Sequence, residues 1–256
     1  MWPSDRAEAP DGGNQLRGRT ALVTGGAVRV GRAISLALAR VGARVVIHYN
    51  SSVTEAATAV EEIRAAGGVA EAQVADLRRI EEVERLVETA GQPFGPVDIL
   101  VNNASVFPSA PLLDVDPDLW EETIAVNLRA PFFLTRGFGR AMKERGGGVI
   151  VNMADLAGLQ SWSGYAAHAI SKAGLVHLTR IAARALAPEV RVVAIAPGTI
   201  LPPEELDEDQ VQELADRAPL RRIGAPSDAV EALMYLLRAD FVTGEVLVVD
   251  GGRMLK

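Results

Sequence analysis

The stretch Thr20-Ala21-Leu22-Val23-Thr24-Gly25-Gly26-Ala27-Val28-Arg29-Val30-Gly31 decides the fold. A short apolar, β-rich run ends in a glycine-rich turn, and a helix-period pattern, Gly31–Val41, follows at once. Such a strand-to-helix turn lets the backbone approach a pyrophosphate, and the helix N-terminus favours its negative charge. The dinucleotide fingerprint GxGxxG is not written here; the spacing is TGxxxRxG.

Six further strand candidates follow: Arg44–Tyr49, Ala70–Ala75, Val97–Val101, Val149–Asn152, Arg191–Ala196 and Glu245–Val249. They read as near-continuous apolar runs, the pattern of strands covered on both faces. Helical patterns separate them at Thr54–Ala66, Arg79–Ala90, Pro117–Glu144, Ser163–Ala187 and Ser227–Arg238. The alternation predicts an α/β, single-domain Rossmann-type doubly wound sheet of seven parallel strands flanked by helices. Residues 1–16 read as a mobile leader to a domain over 17–256. The acidic, proline-containing stretch 199–219 reads as a loop with a short helix, or as a lid over the carboxyl end of the sheet.

Composition narrows the function. The chain has 256 residues, 48% of them apolar, and 26 basic against 33 acidic side chains give a net charge of −7. That balance argues against a nucleic-acid binder. No apolar run is long enough to span a membrane, the polar N-terminus is no signal peptide, and a cytoplasmic location follows as the expectation. Cysteine is absent, which excludes a thiolate nucleophile or metal site. No His/Asp/Glu grouping has metal-ligand spacing, so no metal is expected.

An NAD enzyme usually carries an acid about twenty residues after the glycine turn, on the ribose 2′-hydroxyl. Here the second strand ends in His48-Tyr49-Asn50-Ser51-Ser52, without a carboxylate. Arg29 in the turn and the hydroxyls of Ser51 and Ser52 suit a 2′-phosphate instead. The expected cofactor is NADPH.

From Arg19 onward the chain resembles the short-chain dehydrogenase/reductase family. The resemblance is carried by Thr24–Gly31, Asp76-Leu77, Asn102-Asn103-Ala104-Ser105, Asn127, Tyr165 to Lys172, Pro197-Gly198, and Thr243-Gly244 with Asp250-Gly251-Gly252. Three of the six asparagines and one of the three lysines fall in these segments. Within the family it looks most like the pteridine reductases, including dihydromonapterin/dihydrofolate reductase-like members. They share the arginine of the turn, the His48-Tyr49…Ser52 segment, and an aspartate in the sequence Asn152-Met153-Ala154-Asp155 where the family usually has serine.

The resemblance implies a cofactor site of Gly25, Arg29, Val30, Gly31, His48, Asn50, Ser51, Ser52, Asp76, Leu77, Asn103, Ala104, Ser105, Asn127, Lys172, Pro197 and Gly198. Within it, Arg29, His48 and Ser52 line the adenosine-phosphate pocket, Asp76 and Leu77 surround adenine, and Lys172 holds the nicotinamide ribose. It also implies a planar pterin-like substrate stacked on Phe107, with Asp155, Tyr165 and Trp162 around it, and a homotetramer built on the two long helices.

The family acid is a tyrosine four residues before the lysine. Here that position is His168, and Tyr165 lies seven back. The catalytic set is therefore Asp155, His168, Lys172 and Tyr165, with the proton source open. His168 can act as the acid, since imidazole titrates near neutrality, although a neighbouring lysine opposes its charged form. Tyr165 can share the site, and Asp155 can relay a proton through water. An imine nitrogen is more basic than a carbonyl oxygen and needs a weaker acid, so the expected reaction is reduction of a C=N bond. The alternatives are a carbonyl reductase and an NADPH-binding protein without turnover.

Overall fold

The computed structural model describes residues 16–202 and 207–255. The expected mobile leader, but for Leu16, and the middle of the expected lid lie outside the described residues.

Seven strands form one parallel sheet: β1 (Thr20–Val23), β2 (Arg44–Tyr49), β3 (Val69–Val74), β4 (Val97–Asn102), β5 (Gly148–Met153), β6 (Val190–Pro197) and β7 (Val246–Val249). Their order is β3-β2-β1-β4-β5-β6-β7, so the winding reverses between β1 and β4. Val23 lies beside Val101 at that reversal, and the carboxyl ends there open the crevice in which such sheets hold ligands.

The helices are α1 (Arg29–Arg40), α2 (Val53–Ala65), α3 (Ile80–Thr89), α4 (Pro117–Ile124), α5 (Ala130–Glu144), α6 (Ala166–Leu186), α7 (Glu208–Asp216) and α8 (Pro226–Arg238). One core packs α1, α2 and α8 against the sheet through Ile34, Leu38, Ile63, Leu233 and Leu236. The other packs α3, α5 and α6 through Leu86, Leu134, Met142 and Ala182. Strands buried on both faces explain why they read as unbroken apolar runs.

Two differences from the sequence reading shape the site. The expected helix Pro117–Glu144 is interrupted by a π turn, Ala125–Arg129. Pro131 has no N–H to give the carbonyl four residues back, and the Ala130 N–H reaches the Ala125 carbonyl instead, so the extra residue bulges inward. Asn127 sits in that bulge, fully buried. The helix expected from Ser163 begins only at Ala166. Tyr165 is its N-cap with non-helical φ −139° and ψ 48°, so it does not continue the face that carries His168.

A buried polar strip fixes α6 over the strands. Asn102 Nδ2 donates to Asn152 Oδ1 (2.8 Å), and Asn152 Nδ2 donates to Thr179 Oγ1 (2.9 Å). Within the acidic stretch, α7 starts with a capping box of Asp207 and Gln210.

Candidate active site

A cavity of about 380 Å³ opens at the β1/β4 reversal. Gly25, Arg29, Val30, Gly31, His48, Asn50, Ser51, Ser52, Asp76, Leu77, Asn103, Ala104 and Ser105 all border it. Glycine is obligatory at Gly31, where a Cβ would stand 2.1 Å from the Gly25 carbonyl oxygen. Gly25 itself has φ +60° and meets Ala104 closely. No side chain caps α1 and no acid lies in its first turn, so its N-terminal N–H groups are available to an anion. Thr24 Oγ1 accepts the N–H groups of Asn103 and Ala104, and Asn103 Nδ2 donates to the Thr24 and Gly25 carbonyls. The two strand ends are thus bolted together beneath the cavity.

His48 holds the turn up rather than facing a phosphate. Its Nδ1 accepts the Gly25 N–H (3.1 Å), which puts the ring proton on Nε2, and Nε2 donates to the Ala75 carbonyl (3.0 Å). Both ring nitrogens are used inside the protein. Burial pushes its pKa down to about 4, so the ring is neutral.

Arg29 Nη2 donates to the Leu201 carbonyl (2.5 Å), beyond β6. Arg29 nevertheless borders the same cavity as Ser51 and Ser52. Ser52 is the N-cap of α2 and makes no side-chain cap bond, leaving its hydroxyl free toward the cavity. Asp76 is paired with Arg78, whose hydrogen bonds hold its carboxyl below the ordinary range. Arg78 and Tyr49 also border the cavity. The sequence reading missed both, although each adjoins a residue it singled out.

Asn127 does not border the cavity. Its Oδ1 accepts from Ser105 Oγ and Val106 N, and its Nδ2 donates to the Val106 carbonyl and Ser171 Oγ. It anchors the strand-end loop to α6 instead of offering a group to a cofactor. Pro197 and Gly198, at the end of β6, are likewise outside that cavity. Gly198 borders a second one of about 490 Å³ with Thr199, Leu214 and Arg253.

The remaining candidates gather at the start of α6. Lys172 is buried, and its Nζ donates to the Met153 carbonyl (2.8 Å). Burial pushes its pKa down to about 8, against the pull of Asp155. Phe107 is half exposed; Tyr165 stacks on it at 4.5 Å and 21°, and the His168 ring meets it edge-on at 4.5 Å. Trp162 stands 6.2 Å from Tyr165. Among the described residues, no hydrogen bond joins Tyr165 to Lys172 or His168.

His168 is 2% exposed. Its Nδ1 lies 3.1 Å from the Val106 carbonyl, which can only accept, so the ring proton belongs on Nδ1. Its Nε2 is buried without a hydrogen-bond partner and faces Asp155 Oδ2 at 3.6 Å. Asp155 Oδ1 accepts the Ala157 N–H (2.7 Å), which fixes the carboxylate, and its side chain remains 24% exposed. A carboxylate open to solvent therefore stands against a buried imidazole. Among the described residues no group of three metal-ligating side chains is gathered.

A doubly wound sheet with a glycine turn into an uncapped helix at its crevice is the frame of a nicotinamide-dependent oxidoreductase; Lys172, buried near the start of α6, does not border that cavity. The chain belongs to the short-chain dehydrogenase/reductase family: the family model described as enoyl-(acyl carrier protein) reductase matches residues 26–253. It is 38% identical to the L-rhamnose 1-dehydrogenase (NAD(P)(+)) of Azotobacter vinelandii, over 91% of this chain and 96% of that one. It is 34% identical to the 3-oxoacyl-[acyl-carrier-protein] reductase of Synechocystis, over 94% and 98%. Among solved structures, FolM alternative dihydrofolate reductase 1 of Brucella suis, in complex with NADP, superposes with a TM-score of 0.89 at 34% identity, covering 94% of this chain and 97% of that one. No described helix is long and apolar enough to cross a membrane.

Proposed function

We propose that this protein is an NADPH-dependent reductase of a C=N bond in a planar pterin- or dihydrofolate-like heterocycle. The observation that carries the reading is the partly exposed Asp155 carboxylate set against buried His168, whose ring meets Phe107 edge-on.

The cavity residues suit the cofactor. The α1 N-terminus and the glycine turn receive a pyrophosphate, and the carboxylate-free end of β2, with Ser51 and Ser52, leaves room for a 2′-phosphate. Lys172 reaches the nicotinamide ribose. When bound, NADPH supplies a hydride to carbon. The chain's own task is to deliver a proton to the nitrogen.

Burial favours Asp155 for that task. The ring of His168 is covered, so Asp155 is the group that meets substrate or an intervening water, and His168 is its proton partner. Nε2, unprotonated while Nδ1 keeps its proton, can take up a second proton and return it to the carboxylate, and solvent refills the pair through the partly exposed carboxylate. Tyr165, stacked on Phe107, shapes the platform on which a flat ring lies. The Brucella structure supports the folate-like reading by its described activity.

A second reading is carbonyl reduction, favoured by the sugar-dehydrogenase and ketoacyl-reductase relatives. Turnover of dihydrobiopterin, dihydrofolate and a generic diketone, each with NADPH and NADH, separates the two. Pterin or dihydrofolate reduction with NADPH preferred about tenfold or more is expected, the scale of one charge-assisted contact. Diketone turnover alone favours the second reading, and NADPH binding without any turnover leaves a binding protein.

The reading also includes a cytoplasmic homotetramer built on α5 and α6, where Phe132, Ile170 and Ile181 are exposed. Ala167, on the same helix α6, is buried within its own chain. Light scattering gives the mass directly.

A further inference from the structure

Beyond Asp155 and His168, a row of rings continues across the mouth of the site. From His168 it passes through Phe107 (4.5 Å), Tyr165 (4.5 Å) and Trp162 (6.2 Å), and it ends at Arg253, whose guanidinium lies over the Trp162 ring at 5.1 Å. We propose that Arg253 is a specificity-determining residue that receives an anionic group, a carboxylate, at the end of the substrate remote from the reducible bond. This rests on the proposed site and adds to it the chemistry of the substrate's tail.

Arg253 is held firmly enough for that role. It opens a 3₁₀ turn, Arg253–Leu255, that Asp250 ties down by accepting the N–H groups of Gly252 (2.7 Å) and Met254 (2.8 Å). Gly251 and Gly252 take φ of +64° and +85° while packed on Ala218 and Pro219, so the turn emerges in one direction. The side chain is then pinned at two points, by the Trp162 face and by Nη1 donating to Thr199 Oγ1 (2.6 Å).

The rest of the guanidinium is left over. Among the described residues its other N–H groups have no hydrogen-bond partner, although burial and nearby Arg217 both oppose its charge. Asp155 and Asp250 draw on that charge without hydrogen-bonding to it. A planar fork with unspent donors, oriented by an aromatic face, matches a carboxylate. Arg253 also borders the 490 Å³ cavity, which gives a tail somewhere to go.

The test compares folate, whose tail carries two carboxylates, with its neutral diamide. Binding of each is measured by calorimetry on the full chain with NADP⁺ present. In the unaltered protein folate should bind about tenfold or more tightly than the diamide. Arg253→Leu should remove that difference by weakening folate alone, Arg253→Lys should retain part of it, and NADP⁺ affinity should stay constant in both. Equal affinity for the two ligands in the unaltered protein overturns the assignment without any variant. So does an Arg253→Leu protein that keeps its preference for folate, or one that loses both ligands equally. If neither pterin binds, the pterin reading fails and takes this assignment with it.

Discussion

Two buried histidines stand at the carboxyl ends of the same sheet, and they are finished differently. His48, at the end of β2, has both ring nitrogens engaged: Nδ1 accepts from Gly25, and Nε2 donates to Ala75. His168, near the start of α6, has Nδ1 engaged and Nε2 buried without a hydrogen bond, facing a carboxylate. A buried polar atom without a partner costs about 1–3 kcal/mol. At the nucleotide end that cost has been removed, and at the catalytic end it is retained. The first histidine is a strut. The second, on the function proposed above, holds a place for a proton.

The largest effect should come from Asp155. Asn in its place keeps an oxygen for the Ala157 N–H, so the local turn survives, but it cannot exchange a proton with His168. Asp155→Asn should lower kcat on the accepted substrate by about 10²–10⁴, the usual worth of a positioned acid, and leave NADPH affinity at about pH 6.5 unchanged. His168→Phe should lose less, because a water can take the place of its Nε2 beside an intact Asp155. If His168→Phe is the more damaging of the two, the imidazole itself delivers the proton and the roles given to the pair are reversed.

The next effect belongs to the strut and is read in stability. The folded pKa of His48 lies at about 4, against 6.5 for an exposed imidazole, because burial disfavours its charged form. The unfolded chain therefore takes up a proton at higher pH than the folded one. The stability held by the neutral ring is complete above about pH 6.5 and is lost as pH falls toward 4. The full loss is about 3 kcal/mol. Urea unfolding at pH 7 and pH 4.5 should show a drop larger by about 2–3 kcal/mol in the unaltered protein than in His48→Gln, which cannot titrate. Equal drops would mean that His48 is not held neutral.

The same contrast explains what could be read from the amino-acid order. The sheet was legible because strands buried on both faces must be apolar throughout, and the crevice because glycines at 25 and 31 have no substitute there. Asp155 and Lys172 were found through the family resemblance, and His168 by counting back four residues from that lysine. What spacing could not give was direction. Arg29 turns toward Leu201 because its side chain is long enough to choose either side of β1. Asn127 is turned into the fold by a π bulge that a plain helical period hides, although Pro131 signals it. Tyr165 counts as one turn from His168 only if the helix has already begun, and it has not. Arg253 closes the stretch Val249-Asp250-Gly251-Gly252-Arg253, which is also similar to the pteridine reductases, but that likeness gives it no role. Its place is set by glycine turns and by contacts across some ninety residues of chain, which no local pattern records.

The smallest effect tests whether the two ends are electrically joined. Lys172 is buried, and desolvation brings its pKa down to about 8, while the negative charge of Asp155 holds it up. It is thus a cation below pH 8 and loses its charge as pH rises through that value. If the charged ammonium holds the nicotinamide ribose, NADPH affinity measured by fluorescence titration should be flat from pH 6.5 to about 7.5. It should then weaken above 8 by a few-fold, the worth of turning one charged hydrogen bond into a neutral one. Asp155→Asn removes the charge that sustains the ammonium, so the same decline should begin at lower pH in that variant. Because the readout is binding and not turnover, loss of the acid does not obscure it. A decline that stays where it was would show that Asp155 and Lys172 titrate independently, and that the proton pair and the cofactor site share a wall without sharing charge.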